Sequence, residues 1–287
     1  MLEQSQDTGR LFLPSVTEFY NFALTPSQQV EFQEALRRVH RWHDPVYAYL
    51  VSNGVRQTNL GHTNGMLEAA SISLDVFPAL SRKINRDQLQ IMIAQHDVPE
   101  FGTKDKNGND VASSERDTPI GKRRKNLEAP THFRRVLPNV QDPALRRYLG
   151  ELYSRFIAQD PDDIDALFTR FMDKFEAGII FGGQLIFDYE AQLLPVTPAV
   201  KNHIEIISLG GMIEPAIKLS HTLSGKAQIE IVELTRAGIL RMREIGFPDE
   251  AERVLAKFDS QIPAIPRSSN GVSFAVNSII FAPPQNY

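Results

Sequence analysis

Cysteine is absent from the 287 residues. That absence excludes a disulfide framework, a thiolate nucleophile and every cysteine-held zinc or iron–sulfur site. A surplus of either charge is missing as well. The 31 Lys+Arg and 35 Asp+Glu leave a formal net charge of −4, which gives no general attraction for nucleic acid or an anionic membrane surface. Long apolar runs are also lacking. The stretch from Ala177 to Phe187 is interrupted by Gly182, Gly183 and Gln184, whereas a spanning helix needs about 20 apolar residues. The start, Met1-Leu2-Glu3-Gln4, has neither a basic lead nor an apolar run of signal-peptide type. The expectation is a cytoplasmic chain with no membrane partner and no stable nucleic-acid binding. G-x-S-x-G, G-x-x-x-x-G-K-[ST] and G-x-G-x-x-G are all absent. The run Asp105 to Asp110 imitates a calcium loop, but its glycine stands fourth where the loop needs it sixth.

What the sequence does contain is helical periodicity, and the fold class expected is all-α. Thr25-Pro26-Ser27-Gln28 combines an N-cap, a proline at the first helical position and a capping-box glutamine. It predicts a helix to about Trp42, with a second after Asp44-Pro45. Further helices are expected over about 63–80, 86–95, 143–158, from near Pro161 through Ile179, and over about 198–208, 225–245 and 248–258. Breaks fall at Gly210-Gly211, Ser224-Gly225 and Gly246-Phe247-Pro248. Residues 101–130 read as a long polar loop, of the kind that is either functional or disordered. Within it Lys122-Arg123-Arg124-Lys125 reads as a solvated face. Val272 to Val276 alternates weakly, as a short strand or an extended arm.

The chemistry points to His62, His96-Asp97 and Asp173. The doublet follows Leu89 to Ala94, so it closes an apolar helix where an unpartnered charge would cost several kcal/mol. A divalent cation is a natural partner. Two imidazoles and two carboxylates balance its charge and, in six-coordinate geometry, leave two positions for water and a substrate oxygen. His43-Asp44 is a second such dipeptide, but Pro45 marks it as a turn.

Around the doublet, His96-Asp97-Val98-Pro99-Glu100 continuing to Asp105 has the pattern H-D-x-x-E-x-x-x-x-D. This resembles the HD-domain phosphohydrolase superfamily, particularly its nucleotidase branch acting on nucleoside monophosphates. The likeness extends to Gly61-His62-Thr63-Asn64 and to Phe171-Met172-Asp173-Lys174-Phe175-Glu176, and covers about 45–190. It implies an HD-type helical bundle over 45–195, preceded by a helical segment 1–44. C-terminal helices 196–260 would pack on that core, followed by a tail 261–287. His62, His96, Asp97 and Asp173 would hold one divalent ion (Mn²⁺, Co²⁺, Fe²⁺, Ni²⁺, Mg²⁺ or Zn²⁺). Glu100 would orient water or move protons, and Asp105 would act at the leaving ester oxygen. Arg56 or Arg41 matches the family's upstream arginine, and Arg56 with Lys104 would bind the substrate. The implied partner is a small phosphorylated substrate, a nucleotide above all, and the family often forms homodimers. A di-iron oxygenase of the same fold would need more histidines between Asp97 and Asp173 than His132 alone, which favours one metal. A non-catalytic nucleotide-binding protein would suit Gly61, where the family carries Glu, and the altered polar loop.

Overall fold

Helices begin where the sequence supplies a capping oxygen. Thr58, Asn85, Thr118, Asp142, Asp163 and Thr197 each stand just before a helix and accept from a backbone N–H of its first turn. Each satisfies donors that every helix start leaves unpaired. Pro119, Pro143 and Pro198 follow at the first helical positions, where a fixed φ helps and a missing N–H costs nothing.

The structure is a computed structural model that describes residues 34, 36–41, 57–111, 118–181 and 197–262. In chain order these hold α1 (Asn59–Val76), α2 (Pro78–Ser81), α3 (Arg86–Gln95), α4 (Pro119–Lys125), α5 (Glu128–Thr131), α6 (Pro143–Ala158) and α7 (Ile164–Phe175). Then come α8 (Pro198–His203), α9 (Gly210–Thr222), α10 (Gly225–Glu244) and α11 (Pro248–Asp259). The fold is all-α, with no sheet among the described residues, only isolated bridges from His40 to Thr58 and Asn109. Among the same residues no helix is long and apolar enough to cross a membrane. The helix expected after Asp44-Pro45 and the arm at Val272 to Val276 lie outside the described residues, as does most of the helix expected over 25–42.

α7 is the axis of the core. Leu167, Phe168, Phe171, Met172 and Phe175 are all fully buried, and the three phenylalanine rings follow one another at 6.0 and 5.5 Å. Burial of each such side chain contributes about 1.5–3 kcal/mol, so this helix is held by α9, α3, α6 and α1 packing around it. Thr169 sheds its polarity onto the Asp165 carbonyl at 2.8 Å. Asp173 cannot do the same, and its partners define the site described below.

Three expectations are corrected. The segment 101–130 is not one polar loop: a 3₁₀ turn at Val98–Gly102, then α4 and α5, occupy much of it, because Thr118-Pro119 supplies a cap and first-turn proline. Half of the basic run turns inward, with the Arg124 guanidinium donating to Thr103 O at 2.8 Å and Asn109 O at 2.7 Å. No break occurs at Gly210-Gly211 either. A wide π turn, Ile204–Leu209, joins α8 directly to α9. It brings Glu205 O within 3.0 Å of where a Gly210 Cβ would stand, so that glycine serves a close approach inside the helix. The breaks at Gly225 and Gly246 are present, both at positive φ.

Candidate metal centre

Three helix ends meet at one point. Capping by Thr58 starts α1 four residues before His62, placing that imidazole in the first turns and fully out of solvent. α3 ends at His96, its C-cap, and Pro99 forces the chain into a 3₁₀ turn just beyond Asp97. Asp173 stands in the last turn of α7, followed by a π turn that opens on Glu176. Wide turns of this kind cluster at functional sites.

The geometry converges. A ring nitrogen of His62, one of His96 and a carboxylate oxygen of Asp173 lie within 4.8 Å of one another. His62 Nε2 is 3.3 Å from Asp173 Oδ1, and Asp97 Oδ2 is 3.1 Å from His96 Nε2 and 3.7 Å from His62 Nε2. Ligands about 2.1 Å from a common ion stand about 3.0–3.4 Å apart, which these spacings approach. The tautomers fit as well. His96 Nδ1 donates to the Ile93 carbonyl at 2.7 Å, and His62 Nδ1 donates to Glu176 Oε2. When the rings are neutral both Nε2 atoms therefore turn a lone pair to the centre, and both are buried without a hydrogen-bond partner. Two orphaned imidazole nitrogens facing two carboxylates could hold a divalent cation, and Glu176 stands where an outer carboxylate would orient His62.

Charge tells the same story. Burial and the Arg41 charge oppose an imidazolium at His62, yet Glu176 and Asp173 push it up to about 9. The site attracts a positive charge between the rings. Burial alone would raise Asp97, but His96, Arg41 and His62 hold it well below the carboxylate range. Asp173 is likewise lowered against its burial, by Lys174 and His62 first and Arg170 after them. The division of its oxygens is clear: Oδ2 accepts from Arg170 and lies 2.9 Å from Lys174 Nζ, while Oδ1 faces His62.

A cleft of about 500 Å³ opens over this cluster, within the range of small-molecule sites. Arg41, Lys125, Arg170 and Lys174 line it together with Glu100, Glu128, Tyr153 and Phe156. Glu100 is buried, with Asn59 Nδ2 donating to one oxygen at 2.5 Å and Lys125 Nζ to the other at 2.6 Å. Burial, then Asp110 and Asp97, raise it above the ordinary range against Lys125 and Arg41.

Of the residues predicted from sequence, His62, His96, Asp97 and Asp173 come together, and Glu100 borders the same cleft. Asp105 does not. Its carboxylate accepts from Asn107 N and Asn109 N, both at 2.8 Å, and from Asn109 Nδ2 at 3.1 Å. It organises the turn at Gly108 rather than facing the cleft. Lys104 is likewise absent from the lining, and its backbone N–H closes the turn onto Glu100 O at 3.0 Å. Arg56 lies outside the described residues, and Arg41 is the arginine at the centre, donating to Asp97 Oδ2 at 2.8 Å. Its delivery is by backbone: His40 N donates to Gly108 O, Asp110 N to His40 O, and Arg41 N to Gln57 O. Sequence reasoning also missed Glu176, whose i+3 spacing from Asp173 puts both on one face of a helix. Gly65 gives it room, since a Cβ there would stand 2.7 Å from Glu176 Oε1.

His132 does not belong to the group of His62, His96 and Asp173. It is buried, stacks on Tyr153 at 3.8 Å, and neither ring nitrogen has a hydrogen-bond partner. Burial pushes it down to about 3. A histidine depressed in the folded chain stabilises above its unfolded value near 6.5, and that stability is lost as pH falls toward 3. Between pH 6.5 and 5 the loss is about 2 kcal/mol. His132→Phe, which keeps the stacking, should show an acid loss smaller by that amount in urea unfolding at the two pH values. No protein-family model, no curated protein and no solved structure matches the chain.

Proposed function

We propose that the chain is a metal-dependent phosphohydrolase of the HD-domain type, acting on the phosphomonoester of a nucleotide or a related small phosphate. The observation that carries this reading is the meeting of His62, His96 and Asp173, with Asp97 Oδ2 3.1 and 3.7 Å from the two unpartnered Nε2 atoms of His96 and His62. When bound there, a divalent ion supplies Lewis acidity, lowering the pKa of a water ligand from 15.7 toward about 7 and drawing charge from a phosphoryl oxygen.

The chain's own residues supply the rest. Arg41, Arg170 and Lys174 are cations on the cleft wall beside the ligands, suited to a phosphate dianion. Glu100, raised by burial, is the base that accepts a proton from the attacking water. With Asp105 committed to its turn, Glu128 takes the role of acid. Burial, with Glu100 and Asp110, pushes it up to about 8 against Lys125, so near neutrality it holds a proton for a leaving ester oxygen. Tyr153 and Phe156 give the cleft an aromatic side on which a base or sugar can rest.

The test is direct. Chelator-stripped chain is reloaded with Mn²⁺, Co²⁺, Ni²⁺, Mg²⁺, Zn²⁺ or Fe²⁺ and offered a panel of nucleoside monophosphates and simple phosphoesters. Phosphate release by at least one loaded form, and none by the stripped form, is expected. A chain carrying one ion and releasing phosphate from no member of the panel would refute the reading.

A further inference from the structure

Beside the four ligands stands a second group of acids with a different character. One oxygen from each of Glu100, Asp110 and Glu128 lies within 4.8 Å of the others. Glu100 and Asp110 are buried, with side chains only 4% and 7% exposed. Asp110 Oδ1 is buried with no hydrogen-bond donor. Three carboxylate oxygens converging without a nitrogen among them make a hard-cation site, the donor set that suits Mg²⁺, Mn²⁺ or Ca²⁺. A cation already stands there. Lys125 Nζ lies 2.6 Å from Glu100 Oε1, 2.8 Å from Glu128 Oε1 and 3.6 Å from Asp110 Oδ1.

We propose that the Lys125 ammonium is a tethered cation, occupying a carboxylate site that takes a divalent ion once the ammonium is removed. Two features set the arrangement apart from an ordinary surface ion pair. Lys125 is the last residue of α4, which Thr118 and Pro119 start at a fixed point, so the ammonium is brought in by a capped helix end. The neighbouring Arg124 is bonded to two loop carbonyls, which pins that end of α4 against the segment carrying Asp110. One ammonium faces three acid side chains, so replacing it with an uncharged stem leaves converging oxygens that a divalent ion can gather, displacing the proton of Glu128. The chain thereby keeps a positive charge beside Glu100 that does not dissociate with the supply of metal. The claim does not require the reading of the His62 centre to be right, because it concerns a difference between two forms of the chain.

The experiment counts ions. Full-length parent, Lys125→Met and Lys125→Arg are stripped with chelator and dialysed against Mn²⁺, and bound Mn²⁺ per chain is measured by elemental analysis. Lys125→Met should bind one Mn²⁺ more than the parent, and Lys125→Arg should match the parent. The extra ion should be lost again in Lys125→Met combined with Asp110→Asn. Lys125→Gln replaces Lys125→Met if the latter fails to fold, with the same gain expected. A folded variant lacking the ammonium and binding no additional Mn²⁺ overturns the proposal. So does a parent in which Asp110→Asn alone removes one ion, since the site would then hold metal with Lys125 in place. Failure of the His62 centre reads differently: the parent then binds no ion, while the gain on removing Lys125 still stands or falls by itself.

Discussion

Asp97→Asn should cost the chain its metal and its turnover together. The amide keeps an oxygen for Arg41, so the fold is retained, but the negative charge shared between His62 and His96 is gone. Changes to groups that merely orient ligands cost about 10–100-fold in metal affinity or activity, and loss of a ligand must exceed that. Elemental analysis should therefore find close to no ion where the parent holds one, and phosphate release should fall by more than about 100-fold at equal added metal. Glu176→Gln is the informative comparison. Its carboxylate meets His62 Nδ1 on one oxygen and accepts from Gln57 Nε2 at 2.8 Å on the other, so its loss should stay within the outer range and be recovered by adding more metal. If Asp97→Asn bound metal as tightly as the parent, Asp97 would not be a ligand.

Glu100→Gln should separate chemistry from metal binding. The amide oxygen can still accept from Lys125 and its NH2 can donate to Asn59 once that side chain turns its unpartnered oxygen inward, and none of the four cluster residues is altered, so the ion count should be unchanged. Turnover should fall by about 10²–10⁴-fold, the ordinary share of a positioned acid or base. The pH profile sharpens the test: because burial and neighbouring carboxylates raise Glu100, the parent's rate should fall as acid protonates that base, and the variant's residual rate should lose that limb. A variant with parental turnover would remove Glu100 from the chemistry.

The buried His/Asp cluster was more legible in the sequence than its surroundings were, for a physical reason. His96-Asp97 was legible because it closes an apolar helix, where a polar side chain must have a partner, and His62 and Asp173 through the family pattern around them. The boundaries 86–95 and 143–158 were legible for the same kind of local reason, since Asn85 and Asp142 cap them within one turn. Arg41 was not, because its place is set by three backbone bonds to segments far along the chain, and Arg56 has equal standing in the letters alone. Asp105 fitted a spacing pattern, yet its short side chain is satisfied two and four residues away, as aspartate in turns usually is. Lys125 looked like one solvated charge among four because a run of like residues hides which of them the helix turns inward. The π turns at 176 and 204 leave no mark in the periodicity, and the second carries the helix across Gly210-Gly211, a pair that reads as a break in sequence.

The turn around Gly108 touches no ligand, yet it grips residue 40 from both sides, and the next residue is the arginine on Asp97. The number of residues between Asp105 and Asp110 is therefore tied to the electrical balance of the doublet. A loop that could be lengthened at little cost in chain entropy elsewhere on the surface is here a spacer of set length. One inserted residue would be felt first as a loosened guanidinium some way off, before any helix of the core gave way.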